Sequence, residues 1–249
     1  MGIKGLVFDF DGLVMDTETT LLESWRWEWR RHGLELDAEG FFADHGGDVN
    51  EGRYAALAAA VGDGFDREVS HASRQAYRKG LNGALTPAPG IEAWLTRAGE
   101  RGLRLAVASS SPLWHVGALL DQAGLRERFE VIATGDEVAA HKPDPAVYLL
   151  ALRRLGLGPR EAIAFEDTAH GVAAARAAGM RCVAVPNPHA DRARFVDADL
   201  VLAGAADLTL DEVLSEIEPP RELPGELPGE LPEELPGETL SQVLDRPAG

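Results

Sequence analysis

Two aspartates flank one phenylalanine in the stretch Phe8-Asp9-Phe10-Asp11, immediately after the apolar run Gly5-Leu6-Val7. Like charges this close at the end of a hydrophobic segment are costly unless a cation shares them or one of them holds a proton. A hard divalent ion such as Mg2+ suits oxygen ligands and takes a phosphate oxygen as a further ligand. A second acidic pair, Glu166-Asp167, closes another apolar run, Ser109 closes a third, and Lys142 follows a fourth. Lys142 is one of only three lysines, the others being Lys4 and Lys79, in a chain that otherwise uses arginine for its cations. A lysine kept among arginines suits a site that wants a compact point charge. Each residue also has an ordinary reading. The acidic pairs can be solvated strand ends, Asp167 or Thr168 can cap the helix that follows "EDT", and Lys142 can be a surface lysine.

These residues need elements that bring them together. Short β-rich runs stand at 5–10, 103–109, 130–134, 162–167, 182–186 and 199–203, and they are almost continuously apolar. Strands buried on both faces read this way. Helical patterns lie between most of them, ending at Gly102, Gly124, Gly156 and Gly179, each suited to a helix C-terminus. Strand and helix in alternation predict an α/β fold with a Rossmann-like parallel sheet. In such sheets ligands bind beyond the carboxyl ends of the strands, where Asp9, Ser109, Lys142, Glu166 and Asp167 would all lie.

Residues 16–85 break that rhythm, with no strand-like run and with Leu21, Leu22, Trp25 and Trp29 at helical spacing. They predict an inserted all-helical cap with further helices at 50–61 and 66–82. Trp27 points away from that face and is read as packing on a partner helix. The core is expected at 1–15 and 86–218. From Pro219 the chain repeats Glu, Leu, Pro and Gly, too poor in apolar mass to fold alone and too rich in proline for a helix, so 219–249 reads as a disordered acidic tail.

Composition narrows the partners. With 41 acidic against 24 basic residues the formal net charge is -17, which disfavours nucleic acid. No apolar run reaches the ~20 residues of a membrane span. The first strand begins too early to leave room for a signal peptide, so a cytoplasmic setting is expected. The single cysteine, Cys182, sits in the apolar run "CVAV" and is expected to be buried and inert.

Taken together, "DFDGLVMDTE", "VASSS", "HKPDPAVY" and "FEDTAHGVAAARAAGM" resemble the four motifs of the haloacid dehalogenase superfamily. Within it the chain resembles the phosphatase and β-phosphoglucomutase-like branch with a helical cap, over residues 1 to about 218. The resemblance implies a Mg2+-dependent phosphatase of a small phosphorylated metabolite, with no obligate protein partner. Asp9 would be the nucleophile, forming an aspartyl-phosphate, and Asp11 the acid and then the base. Ser109 and the Ser110 backbone N–H would hold phosphate, and Lys142 would bridge Asp9 and phosphate. The metal would be held by Asp9, the Asp11 carbonyl and Asp167, with Glu166 acting through water.

Asp11 argues against dehalogenases and phosphonatases, which resemble this fold but lack an aspartate there; the only cap lysine, Lys79, also lies late for a phosphonatase Schiff base. β-Phosphoglucomutases resemble the chain closely, but they carry a cap histidine where this sequence has Leu21, and a lysine and an asparagine where it has Pro112 and Leu113. Hydrolysis is therefore preferred, with a sugar-phosphate mutase as the alternative and a catalytically idle binding protein as a second. Arg53 and His45 are candidates for the substrate-facing cap loop. His141 is read as shaping a turn, His170 as facing solvent, and His115 as an ordinary residue near the cleft entrance.

Overall fold

The computed structural model describes residues 2–38, 41, 50–187 and 190–217. His45 and the tail 219–249 lie outside the described residues. Six strands, β1 (Gly5–Phe8), β2 (Arg104–Ala108), β3 (Val131–Ala133), β4 (Ala162–Glu166), β5 (Arg181–Ala184) and β6 (Leu200–Val201), form one sheet in the order β3-β2-β1-β4-β5-β6. Every pairing is parallel. Each strand is therefore reached through a crossover, and the helices of those crossovers cover both faces.

The strands sort their side chains by size. Leu6, Phe8, Leu105, Val107, Ile163, Phe165 and Val183 point to one face, against α4 (Ile91–Glu100), α5 (Leu113–Ala123) and α8 (Leu210–Ile217). Val7, Ala106, Ala108, Ala162, Ala164, Cys182 and Ala184 point to the other, against α6 (Ala146–Leu155) and α7 (Ala169–Ala177). The larger residues interdigitate with their helices: the rings of Phe8 and Phe165 stack 4.7 Å apart and Trp94 packs on Phe165 at 5.0 Å. The alanine-rich face lets α6 and α7 approach closely. Cys182 is buried there, and burial raises its thiol above the ordinary range, which keeps it inert as expected.

Between β1 and α4 come α1 (Thr17–Arg31), α2 (Asn50–Val61) and α3 (Arg67–Asn82), the helical insertion expected from the sequence. Asp16 caps α1 through Thr19 N–H at 3.0 Å, and Asp66 caps α3 through Glu68 and Val69 N–H. Leu21, Trp25, Tyr54 and Leu57 make a small core of their own. Trp27 lies flat on Tyr77 of α3, rings 4.4 Å apart, so it covers a partner helix. Where the chain leaves the sheet and where it returns, the two segments run side by side: Met15 bridges to both Asp11 and Pro87, and Ala88 N–H donates to Val14 O at 2.9 Å.

All six strand estimates were longer than the strands themselves, most clearly at the C-terminal end of the sheet. The sequence suggests 199–203 and 182–186, whereas β6 spans only Leu200–Val201 and β5 begins at Arg181. Apolar runs continue past the last ladder bond because side chains beyond a strand end still pack inward.

Candidate active site

The strand order reverses between β1 and β4, which lie side by side and carry Phe8 opposite both Val107 of β2 and Phe165 of β4. A crevice opens at such a reversal, at the carboxyl ends of the strands. Asp9 follows β1 there, Ser109 follows β2, and Glu166 and Asp167 end β4. Lys142 arrives from the loop after β3. That loop is shaped by the 3-10 turn Gly135–Glu137, where Thr134 and Glu137 cap each other, and Glu137 is paired with Arg154 at 2.7 Å.

All four charged groups at the crevice floor are buried. The Lys142 ammonium forms ion pairs with Asp9 and with Glu166, the latter at 2.5 Å. Burial alone would depress the Lys142 amine, but Asp9 and Glu166 outweigh it and raise it, so the lysine stays charged. Glu166 is saturated. Its Oε1 also accepts from Tyr148 OH at 2.6 Å, and its Oε2 accepts from Asp167 N–H at 3.1 Å and from the Thr168 hydroxyl at 3.2 Å. Asp167 is the opposite case: both its carboxylate oxygens are buried without a hydrogen-bond partner. Burial and the neighbouring carboxylates push Asp9 and Asp167 well above the usual carboxylate range, with Lys142 opposing.

Oxygens of Asp9, Glu166 and Asp167 lie within 4.8 Å of one another. An all-oxygen acidic set with an orphaned buried carboxylate fits a hard divalent cation. Two glycines keep the space clear. Gly12, at φ 85°, has no Cβ to collide with Asp167 Oδ2, and Gly171 has none to collide with the Glu166 carboxylate.

Asp11 sits to one side, in a ring of donors. Its Oδ1 accepts from the Thr17 hydroxyl at 2.8 Å and from His115 Nε2 at 2.8 Å; its Oδ2 accepts from the Ser111 hydroxyl at 2.6 Å and, at 3.5 Å, from Ser109. Burial would raise this carboxyl, yet His115, Ser111 and Thr17 together hold it well below the usual carboxylate range. His115, expected to be an ordinary residue near the entrance, is therefore a direct partner of Asp11. His170, expected to face solvent, lines the cavity, while His141 is exposed. Thr168 caps α7 through Gly171 N–H at 3.0 Å, so the cap is Thr168 and not Asp167.

A cavity of about 940 Å³ rises from this floor to the helical insertion, lined below by Asp9, Asp11, Ser109, Ser110 and Lys142 and above by Arg53, Arg74, Arg78 and Leu21. Residues 6–185 match the family model described as Haloacid dehalogenase-like hydrolase. The chain belongs to that family.

Among relatives of this hydrolase, YhcW of Bacillus subtilis (strain 168) is 37% identical over 216 residues, covering 86% of this chain and 98% of the relative. Fructose-1-phosphate phosphatase YqaB of Escherichia coli (strain K12) is 33% identical over 181 residues, 73% of this chain and 95% of the relative. The crystal structure of CbbY from Rhodobacter sphaeroides in complex with phosphate superposes with a TM-score of 0.66 at 30% identity, covering 82% of this chain and 96% of that one. The hydrolase is a phosphatase of its family, acting on phosphoric monoesters.

Four neighbours of the site were not read from the sequence as participants. Ser111 and Thr17 lie inside quoted motifs, so adjacency to Ser109 and to Asp16 was the available signal. His115 and Tyr148 lie 104 and 18 residues from the groups they touch, and their helical patterns read as ordinary packing.

Proposed function

We propose that this hydrolase removes phosphate from a small sugar-phosphate-like metabolite through an aspartyl-phosphate on Asp9. What carries the reading is the floor of the crevice: a buried carboxylate ion-paired to a buried lysine, beside a second carboxylate with no partner of its own. An Asp9 oxygen attacks phosphorus, and the bond to the leaving alcohol oxygen breaks as that oxygen takes a proton from Asp11. Water then attacks the same phosphorus, gives a proton to Asp11 and returns Asp9 with release of inorganic phosphate. The charge of an incoming phosphate dianion favours a proton on Asp11 for the first step. The donors around Asp11 favour the carboxylate needed for the second.

Ser109 and the Ser110 backbone N–H would hold phosphate oxygens, and Lys142 would bridge Asp9 and the phosphate. Asp9, Asp167 and the Asp11 backbone carbonyl would hold Mg2+, with Glu166, already saturated, reaching it through water. When bound, the ion would offset the repulsion between Asp9 and the phosphate. YqaB is named for fructose 1-phosphate, which supports sugar phosphates as the first substrates to try. Leu21 lines the cavity with no polar atom to hold a second sugar oxygen, which favours hydrolysis over phosphate return to the sugar.

The test is p-nitrophenyl phosphate and fructose 1-phosphate turnover with and without Mg2+, alongside Asp9→Asn. We expect metal-dependent release of phosphate, a loss of about a thousandfold or more in the variant, and a phosphorylated Asp9 peptide by mass spectrometry. Conversion of β-glucose 1-phosphate to the 6-phosphate without phosphate release would replace this reading by the mutase.

A further inference from the structure

In the reaction described above Asp11 must meet the leaving oxygen, yet both of its own oxygens are engaged. Oδ1 accepts from His115 Nε2 and from the Thr17 hydroxyl, each at 2.8 Å. Oδ2 accepts from the Ser111 hydroxyl at 2.6 Å, and its contact with the Ser109 hydroxyl is long, at 3.5 Å. The firmly held oxygen is thus Oδ1. The looser one is Oδ2, on the side of the serine that would hold phosphate.

The two donors to Oδ1 come from different parts of the molecule. Thr17 is the first residue of α1, in the helical insertion. His115 is in the first turn of α5, whose Val116, Leu119 and Leu120 are buried in the core on one face of the sheet. The start of α5 is itself pinned. Leu113 N–H donates to the Asp136 carboxylate at 3.3 Å, and Gly135 N–H donates to Ser111 O at 3.0 Å. Gly135 has no Cβ to collide with Ser110 O, so the two loops close on each other. The His115 ring is set by two edge-on neighbours, Phe10 with centroids 6.2 Å apart and Trp114 at 5.8 Å. Phe10 is itself buried.

An ionised carboxylate only accepts, so Nε2 carries the hydrogen of this bond. A carboxylate side chain on two torsions has several rotamers, and most of them would swing its oxygens away from the reacting atoms. From the placement of His115 on the sheet side of Asp11 Oδ1, we infer that His115 is a positioning residue of the reaction: it fixes the Asp11 side chain so that Oδ2 is presented to the leaving oxygen, wherever the helical insertion stands. The inference rests on the proposed phosphatase reaction and gives it a participant from outside the four motifs. A histidine that merely packs the start of α5 would matter equally whatever alcohol departs.

The choice of leaving group separates the two roles. p-Nitrophenolate departs readily as an anion, whereas phenolate is more basic and departs with more help from an acid. The experiment is kcat/KM of the Mg2+-loaded protein for p-nitrophenyl phosphate and for phenyl phosphate, which differ in that respect and little in size. His115→Leu removes the donor and keeps the bulk; His115→Gln keeps an amide N–H at the reach of Nε2. His115→Leu should lower kcat/KM about tenfold or more for phenyl phosphate and about threefold or less for p-nitrophenyl phosphate, and His115→Gln should recover most of the loss. Circular dichroism checks that each variant is folded. His115→Asn, too short to reach Oδ1, serves the same comparison if the leucine variant does not fold.

Equal losses for the two esters, no loss for either, or a glutamine variant as slow as the leucine one would overturn the positioning role while leaving the Asp9 reaction in place. Absence of Asp9-dependent turnover of both esters by the parent protein would instead strike the reaction itself, and the positioning role with it.

Discussion

A carboxylate buried without a donor costs several kcal/mol, and Asp167 is in that position, beside Asp9 and Glu166. The protein should therefore gain stability from the ion that takes up this charge. We expect Mg2+ at about a hundred times its Kd to add roughly 2–3 kcal/mol, a rise of a few degrees in Tm by scanning calorimetry. EDTA should reverse it and Asp167→Asn should abolish the response; a Tm indifferent to both would remove the metal from this site. Lys142 acts on the same cluster from the other side. Lys142→Met leaves Asp9 and Glu166 with no cation, so unfolding free energy should fall by about 3–5 kcal/mol, read by urea denaturation. Turnover should be lost with it. The Lys142 pairing with Glu166 also shows why neither is replaceable alone: each neutralises a partner that the fold has already removed from water.

The elements decide where those residues stand. Gly171 lies in the first turn of α7, where any Cβ would run into the Glu166 carboxylate. Gly171→Ala should tilt Glu166 off Lys142 and cut turnover about tenfold or more, while circular dichroism still reports a folded chain. The loop that delivers Lys142 is braced by Glu137, whose carboxyl Arg154 holds below its usual range. A lowered folded pKa contributes stability above the unfolded value, about 4.3 for Glu, and loses it as pH falls through the folded one. Glu137→Gln should thus lower Tm at pH 7, with the gap to the parent closing below about pH 4; a gap that widens in acid would contradict the bracing role.

The strands were legible because a strand buried on both faces leaves an unbroken apolar run, although the runs read as 5–10 and 162–167 overshot the last strand residues, Phe8 and Glu166. The helical insertion was legible too, with α2 at Asn50–Val61 as expected and α3 one residue shorter. The ring around Asp11 was not. His115, in the first turn of α5, meets Asp11 across 104 residues of sequence, and no local pattern encodes that contact. Arg74 and Arg78, four residues apart on α3, drew no reading from the sequence and line the cavity only because α3 faces it.

Across the whole molecule, every side chain assigned a part in the chemistry lies within residues 9–171, and the family match ends at 185. Removing residues 219–249 should therefore leave p-nitrophenyl phosphate turnover within about twofold and Tm nearly unchanged; a collapse in either would show that the acidic repeat contributes to the working enzyme. Among the described residues no helix is long and apolar enough to cross a membrane.

The paired crossings at Met15 and Pro87 have a mechanical result. The first residue of α1, Thr17, donates its hydroxyl to Asp11 and lends its carbonyl to Arg78. Were the three helices to shift about those crossings, Thr17 would shift with them, and its hydroxyl bond to Asp11 with it. Thr17 therefore ties the helical insertion to the Asp11 carboxylate, which His115 and Ser111 hold from the sheet side.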